Sequence, residues 1–460
     1  MTLETLSRKR VAVLGSGENH KHLIRYFEKH HISFEVIDQW DKLTDIDVSQ
    51  FEVVFRTPGI PYLSGPVQDA LASGTVIYSQ TKLFFDLCAA KIIGVTGTKG
   101  KGTTATLIHK ILQAAGLKTH LAGNIGLDPF EFLDELTTED WVILELSSFQ
   151  LQDLHKSPHI AVVLKITPEH LDYHKKFEEY WQAKSPIVKF QLPEDVAVLN
   201  YDNEITRAFA QQTEAKIFWN SIRQEVRPGC FVRGEEIVFT PSPGDGEGGG
   251  EVAIMDASDV HLLGRFNLEN ITAAIAGAHA ARISDPQLIK KVVSEFRGLE
   301  HRLEFVRETN GVKFYNDSFS TTPETSGAAL SAFSAPIILI AGGSEKHADY
   351  VDLARTIAGS HVTALLAIGT TGPKIAQAAR VAGYGGKIYD TGLSDMSAIV
   401  AQAASLAHPG DVVLLSPASA SFDMFANYKQ RGELFKKFVN KLTLPDLAKL
   451  DKKRGRQSGP

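Results

Sequence analysis

The sequence predicts an α/β protein of several domains in series, each built on a mostly parallel sheet, and three observations carry that prediction. The chain has 460 residues, and a single hydrophobic core stops growing well short of that length. Short apolar runs alternate with helix-like segments, and the runs end near Gly, Asp or Pro, as parallel strands joined by crossover helices do. One stretch, from Gly229 to Val260, breaks the alternation and reads as antiparallel strands.

The expected elements follow in order. Strands are read at Val11–Leu14, Phe34–Asp38 and Val53–Phe55, and this first section ends near Leu87. A second set runs through Ile92–Thr96, Val142–Leu146, Ala161–Ile166 and Val196–Asn200, with helices at Thr103–Ala115 and Lys176–Lys189. In FVRGEEIVFT and EVAIMDASDV the pattern is antiparallel. The intervening Pro241–Gly250 (PSPGDGEGGG) is a low-complexity loop, not a phosphate loop, because it follows no buried strand and opens no helix. A third set comprises Lys313–Asn316, Ile337–Ala341, Ala364–Gly369, Lys387–Tyr389 and Val412–Ser416.

Composition narrows the function. Hydrophobic residues make up 43% and charged residues 22%, and the net charge is -6, so no basic excess marks a nucleic-acid binder. The basic cluster Lys449, Lys452, Lys453, Arg454 and Arg456 reads as a solvated tail. Cys88 and Cys230 cannot build a disulfide framework or a zinc site. No apolar run reaches the length of a membrane span, and MTLETLSRKR lacks a signal-peptide core, so the expected compartment is the cytoplasm.

The strongest motif is Gly97-Thr98-Lys99-Gly100-Lys101-Gly102-Thr103-Thr104, between a strand and a helix. Glycines let backbone amides turn around phosphate oxygens, Lys101 offers a point charge, and a hydroxyl beside it can hold Mg²⁺. Gly102 intervenes after the lysine, so Thr103 is the expected hydroxyl. The plain alternative is an ordinary Gly-rich turn. Gly15-Ser16-Gly17 is a weaker turn of the same kind, with Asp38 ending the next strand where an acid often meets ribose. A nicotinamide site is therefore a competing reading of this first section. Glu145 ends an apolar strand, where a carboxylate suits a hard cation, or else pairs with a base. The spacing of His170, Asp172 and His174 is not a zinc-helix pattern.

The chain resembles the Mur ligase family, and more distantly folylpolyglutamate synthase, which the Lys101-Gly102-Thr103 variant suggests. The resemblance rests on the 97–104 loop, Gly123-Asn124-Ile125-Gly126, Leu144–Gln150 (LELSSFQ), Thr167–Asp172 (TPEHLD), Asn267-Leu268-Glu269-Asn270, Gly298–Arg302 (GLEHR) and Leu415–Asp423 (LSPASASFD). These stand in order over nearly the whole chain, and they are most similar to the glutamate-adding branch.

That resemblance implies three domains: 1–90 for a UDP-linked precursor, 91–298 for ATP, and 299–445 for an amino acid, with 446–460 as the basic tail. The outer two are Rossmann-like and the central one is of P-loop type. It implies ATP contacts by the 97–104 loop, Asn270, Arg302 and Asp317, and Mg²⁺ ligation by Thr103, Glu145, His170 and a carbamylated Lys184. From local sequence alone Lys184 is an exposed helix lysine, Asn267 and Asn270 a helix N-cap pair, and Arg302 half of an interdomain ion pair. The implied substrates are UDP-N-acetylmuramoyl-L-alanine, met by Gly15, Ser16, Asp38, Ser79, Thr81, Asn124, Ser147 and Gln150, and glutamate, met by Thr321, Lys346, Ser421, Phe422 and Tyr428. Thr57–Pro61 is a further turn near the precursor site. The expected enzyme is a monomer that activates a carboxylate as an acyl phosphate, with domain closure excluding water. One departure is plain. After Asn316-Asp317-Ser318 the family usually has Lys-Ala-Thr-Asn, and here stands Phe319-Ser320-Thr321-Thr322. Losing that cation bears on the handedness of the glutamate, for which the D form is expected and the L form is the alternative. A P-loop ATPase switch is the reading from a different class.

Overall fold

The computed structural model describes residues 1–17, 20–38, 50–242, 250–345, 348–390, 392 and 395–442, with the backbone alone at 171 and 172. It is a mixed α/β structure with mostly parallel sheets. The chain divides into two compact units, Met1–His261 with Arg265–Phe296, and Leu262–Gly264 with Arg297–Pro460.

The first unit holds two sheets. One has four parallel strands in the spatial order Phe34–Ile37, Val11–Leu14, Val53–Arg56, Val76–Ser79. The other has nine, in the order Val252–Asp256, Glu236–Thr240, Gly229–Arg233, Lys216–Ser221, Val196–Asn200, Ile160–Val163, Lys91–Thr96, Trp141–Glu145, Thr119–Gly123. Its first three are antiparallel to one another and the rest run parallel. Strand Lys91–Thr96, between Ile160–Val163 and Trp141–Glu145, ends at the Gly-rich loop.

That loop feeds the helix Lys101–Ala114, which follows Gly100 in the left-handed region at φ 87°. Leu107, Ile108, Ile111 and Leu112 are fully buried on one face, each contributing on the order of 2 kcal/mol. They pack on the helix Phe266–Ala280, whose buried run of Ala and Gly allows close approach. Ile108→Ala would cost about 2–5 kcal/mol there.

The second unit has one sheet in the order Glu304–Thr309, Val312–Asn316, Val412–Leu415, Ile337–Gly342, Val362–Ile368, Lys387–Asp390, with only the first pair antiparallel. Buried side chains cover both faces of this sheet, which explains why its central strands read as continuous apolar runs.

Several expectations need correction. The helix expected over Lys176–Lys189 is two short pieces, Phe177–Gln182 and Pro186–Lys189. Pro186 has no N–H to give to the Gln182 carbonyl, so the hydrogen-bond ladder breaks there and the helix restarts with proline in its first turn. The strand expected over Ala161–Ile166 ends at Val163. Thr119–Gly123, Val76–Ser79, Lys216–Ser221 and Glu304–Thr309 are further strands that the apolar pattern did not reveal. Most of the Pro241–Gly250 loop and the basic tail lie outside the described residues.

Candidate functional site

In the first unit, a cavity of about 690 Å³ opens between the four-stranded sheet's edge and the nucleotide-type loop. Its lining includes Lys101, Glu145 and His170 together with Ser79, Thr81, Asn124, Ser147 and Gln150. Eight residues singled out by sequence, from five separate segments, therefore share one wall. The lining also includes His22, Gln80, Phe84, Asp128, Glu131 and Phe149, which were not expected as site residues. Gly15, Ser16 and Asp38 are not in that lining.

Each group is held by its own local structure. The Lys101 ammonium donates to the Thr98 carbonyl at 3.0 Å, folding back over the loop. The Thr98 hydroxyl donates to the Thr167 carbonyl (3.0 Å) and accepts from the Thr167 amide (2.9 Å), tying the loop to the segment that carries His170. Lys99 pairs with Glu169 in the same segment. Thr103 is half-buried on the first turn of the helix, and the buried Thr104 hydroxyl donates to the Asn270 carbonyl at 3.4 Å. A side chain at Gly100 would collide with the Asn270 amide, so only glycine lets the loop pass this close.

Glu145 is buried at the end of its strand, and its carbonyl accepts from the Asn124 amide at 3.2 Å. His170 has left-handed backbone geometry, φ 56° and ψ 40°. A non-glycine residue pays conformational strain there, and such positions cluster at functional sites. Its ring faces Phe149 at 5.1 Å. His174 is buried against Phe149 and bonded to the Ser148 hydroxyl at 2.9 Å, which makes it a structural residue.

Lys184 is not the exposed helix lysine of the local reading. It lies in the break before Pro186, 1% exposed, with Nζ 3.1 Å from the Gly97 carbonyl and 3.4 Å from the Thr96 hydroxyl. Burial holds its amine well below the usual lysine range, and the Lys101 cation adds to the shift. The site thus contains an amine biased toward its neutral, nucleophilic form, directly beneath the phosphate-type loop.

Ser147 and Gln150 form a reciprocal helix cap, and Ser79 caps the helix Gln80–Leu87 while donating to Asp153 at 3.2 Å. The Ser16 amide and hydroxyl both donate to the Asp38 carboxylate, at 2.9 and 2.7 Å. Arg56, fully buried, pairs with buried Asp153 at 3.2 Å and donates to the carbonyls of Ile60 and Phe149 at 3.1 Å. It fastens the Thr57–Pro61 turn to the LELSSFQ segment, and no local pattern reveals it. Asn267 and Asn270 are not a helix cap, since Arg265 holds that position; Asn270 instead donates to Asn267 at 2.8 Å.

In the second unit, Asp317 is buried and accepts from the Leu303 amide (3.1 Å) and the Ser416 hydroxyl (2.7 Å). Burial pushes its carboxyl up to about 6. Arg302 makes no ion pair among the described residues; its guanidinium lies 4.0 Å over the Phe319 ring. Ser421 is buried, Thr321 and Tyr428 are half-buried, and Phe422 is 69% exposed. Lys346 lies outside the described residues. Arg431, also missed by sequence reasoning, is buried and donates to the Ser318 carbonyl (2.9 Å) and to those of Ser419 and Ala420 (3.1 Å). It knits the 318–320 and 419–420 loops together beneath the start of the helix Tyr428–Lys441.

Three His and carboxylate ligand atoms come within 4.8 Å of one another, among the described residues, only at Glu300, His301 and Glu433. The Lys436 ammonium pairs with Glu300 and Glu433, so this cluster is a salt-bridge network. Of the expected metal ligands, the Glu145 carboxylate and the His170 imidazole line the cavity, and a carboxylate suits a hard divalent ion.

Fold and cavity define a class: an α/β enzyme with a phosphate-type loop opening onto a polar cavity. Residues 95–278 match the Mur ligase middle domain, and residues 301–419 the Mur ligase glutamate ligase domain. The chain is 40% identical to the UDP-N-acetylmuramoylalanine--D-glutamate ligase of Acetivibrio thermocellus, over 95% of this chain and 97% of that one. To the protein of the same name from Symbiobacterium thermophilum it is 39% identical, over 95% and 99%. Its fold is similar to that of a MurF ligase from Thermotoga maritima solved in complex with ADP, with TM-score 0.53, 16% identity and coverage of 96% and 97%. The chain belongs to the Mur ligase family, and it is a ligase. Among the described residues no helix is long and apolar enough to cross a membrane.

Proposed function

We propose that this chain adds D-glutamate to UDP-N-acetylmuramoyl-L-alanine, with ATP cleaved to ADP and phosphate, in peptidoglycan precursor synthesis. The observation that carries the reading is near-full-length identity to D-glutamate ligases combined with one cavity that gathers Lys101, Glu145 and His170 with the expected precursor-binding groups. The proposal keeps the domain division 1–90, 91–298 and 299–445, a cytoplasmic location and a monomer.

A carboxylate is a poor electrophile, so the precursor's alanyl carboxylate first attacks the γ-phosphorus of ATP. The acyl phosphate forms and ADP leaves. The neutral amine of glutamate then attacks the acyl carbon, and a tetrahedral intermediate collapses with loss of phosphate and a proton. Lys101 withdraws from the Thr98 carbonyl to meet the charge growing on the phosphoryl oxygens, while the amides of the 97–104 loop at the helix start hold the other phosphates. Asn270, Arg302 and Asp317 complete the proposed nucleotide contacts.

The Lys184 amine adds to CO₂, releases a proton and becomes a carbamate. Its burial supports this, because a neutral lysine is the reactive form. Mg²⁺ held by Thr103, Glu145, His170 and that carbamate would supply positive charge against the phosphate oxygens.

Ser79, Thr81, Asn124, Ser147 and Gln150 line the precursor's path, with Gly15, Ser16 and Asp38 as contacts for its uridine end. Lys346, Thr321, Ser421, Phe422 and Tyr428 hold glutamate, whose two carboxylates call for a cation and hydroxyls.

A coupled phosphate-release assay with the precursor and either D-Glu or L-Glu tests the proposal. Turnover is expected with D-Glu. Turnover only with L-Glu would overturn the assignment of handedness while keeping the ligase. Activity on a folate instead, or ATP cleavage that needs no precursor, would overturn the reaction itself.

A further inference from the structure

Arg302 stands on an unusual piece of backbone. Its neighbours His301 and Leu303 both have positive φ, 64° and 45°, a conformation costly for residues with side chains. Three hydrogen bonds hold the kink. The His301 amide donates to Glu304 (2.9 Å), the Leu303 amide to Asp317 (3.1 Å), and the Phe319 amide to the His301 carbonyl (3.0 Å). The strained turn therefore throws the Arg302 side chain outward, and Phe319 is bonded directly to it.

The same Phe319 supplies the surface on which the guanidinium lies. The charge sits 4.0 Å over the ring centroid, well inside the range for cation–π attraction. Phe319 is itself propped edge-on by Tyr428 at 5.1 Å, and Tyr428 by the His301 ring at 5.8 Å. His301 is buried, and its Nδ1 accepts from the Asn316 amide at 2.9 Å. This pile runs from a fixed buried imidazole to an exposed cation. Among the described residues the Arg302 guanidinium donates no hydrogen bond. The cation–π contact uses none of the N–H donors and leaves them, the part that recognises oxyanions, for a ligand.

We infer that Phe319 is a positioning residue for ATP: its ring pre-orients Arg302 for the nucleotide's phosphate oxygens, in a place where the family usually puts a lysine. This rests on the proposed nucleotide role of Arg302. An arginine held in one orientation loses less side-chain entropy on binding, so the benefit falls on nucleotide affinity and not on the chemical step.

The test is steady-state kinetics on the full-length ligase carrying Phe319→Leu, Phe319→Trp, Arg302→Ala, or Phe319→Leu with Arg302→Ala. Each variant is checked for folding by thermal melting, and Phe319, being partly exposed, tolerates replacement. Phe319→Leu should raise KM for ATP by about three- to tenfold with kcat changed less than about twofold. Phe319→Trp should restore KM for ATP to within about twofold of the parent, since indole is at least as good a face. In the Arg302→Ala background Phe319→Leu should add almost nothing. The inference is overturned if Phe319→Leu leaves KM for ATP unchanged, if the two substitutions multiply in full, or if the KM shift falls on glutamate alone. An Arg302→Ala variant with the parent's KM for ATP would instead remove the nucleotide role of Arg302, and the inference with it.

Discussion

Two strand-to-helix turns in the first unit, Gly15-Ser16-Gly17 and Gly97–Gly102, look alike in sequence and differ in what their backbone can still bind. In the first, the Ser16 amide and hydroxyl are both taken by the Asp38 carboxylate. An anion would meet a negative charge already seated there. In the second, the first helical residue is a lysine, no side chain among the described residues caps the helix start, and the helix is 14 residues long. Glycine content alone did not separate the two. The side chain that closes the first turn comes from the next strand, 22 residues on. The lesson is that a phosphate loop is recognised by whether a carboxylate already occupies its turn, more than by its glycines.

Replacing Lys101 by Ala should break the second turn's function outright. Product formation should fall by at least about a thousandfold, with melting unchanged, because the ammonium is seated on the Gly97 and Thr98 carbonyls of its own loop. Near-parent turnover in a folded variant would remove this loop from the mechanism. Lys184→Ala comes next, with a loss of about a hundredfold or more. Added acetate should restore part of that activity, since it returns a carboxylate to the vacated space. Full activity without acetate would make the lysine merely structural.

Alanine at the two glycines sharpens the comparison directly. Gly100→Ala meets the Asn270 amide and a φ of 87°, so about 1–3 kcal/mol of stability should be lost together with nucleotide affinity. Among the described residues nothing lies within 4 Å of where a Cβ at Gly17 would stand, and Gly17→Ala should change melting and KM for ATP by very little. Similar losses at both would contradict the contrast.

An acid also closes a turn in the second unit, but Asp317 does so from a buried position. Its carboxyl, pushed up to about 6 from 3.8, binds its proton more tightly in the fold than in the unfolded chain. The stabilisation from protonation is complete below about pH 3.8 and is lost as the pH rises through about 6, up to ~3 kcal/mol in all. Comparing urea unfolding of the parent and Asp317→Asn between pH 4 and 7, roughly that window, isolates the effect. Relative to the parent, Asp317→Asn should gain stability as the pH rises. A constant difference would mean that Asp317 titrates normally.

How far the molecule was legible follows from these particulars. The 97–104 loop and the strand ends at Glu145 and Asp38 are local features, and local spacing reveals them. The burial of Lys184 was hidden, because an amphipathic-looking stretch conceals the break that Pro186 makes. Arg56 and Arg431 were hidden more deeply, since a buried arginine and a surface arginine are spelled the same way. Their partners, Asp153 and the Ser318, Ser419 and Ala420 carbonyls, come from distant segments. The strand Thr119–Gly123 (THLAG) was missed because it is short and only Ala122 in it is fully buried.

The claim that this chain joins D-glutamate to its precursor through an acyl phosphate has one direct test. UDP-N-acetylmuramoyl-L-alanine labelled with ¹⁸O in the alanyl carboxylate is turned over with ATP and D-Glu, and the released phosphate and the product are weighed by mass spectrometry. The account predicts one ¹⁸O in each phosphate, carried across when the tetrahedral intermediate collapses, and one left in the new amide. Phosphate free of label, alongside normal amide product, would contradict it.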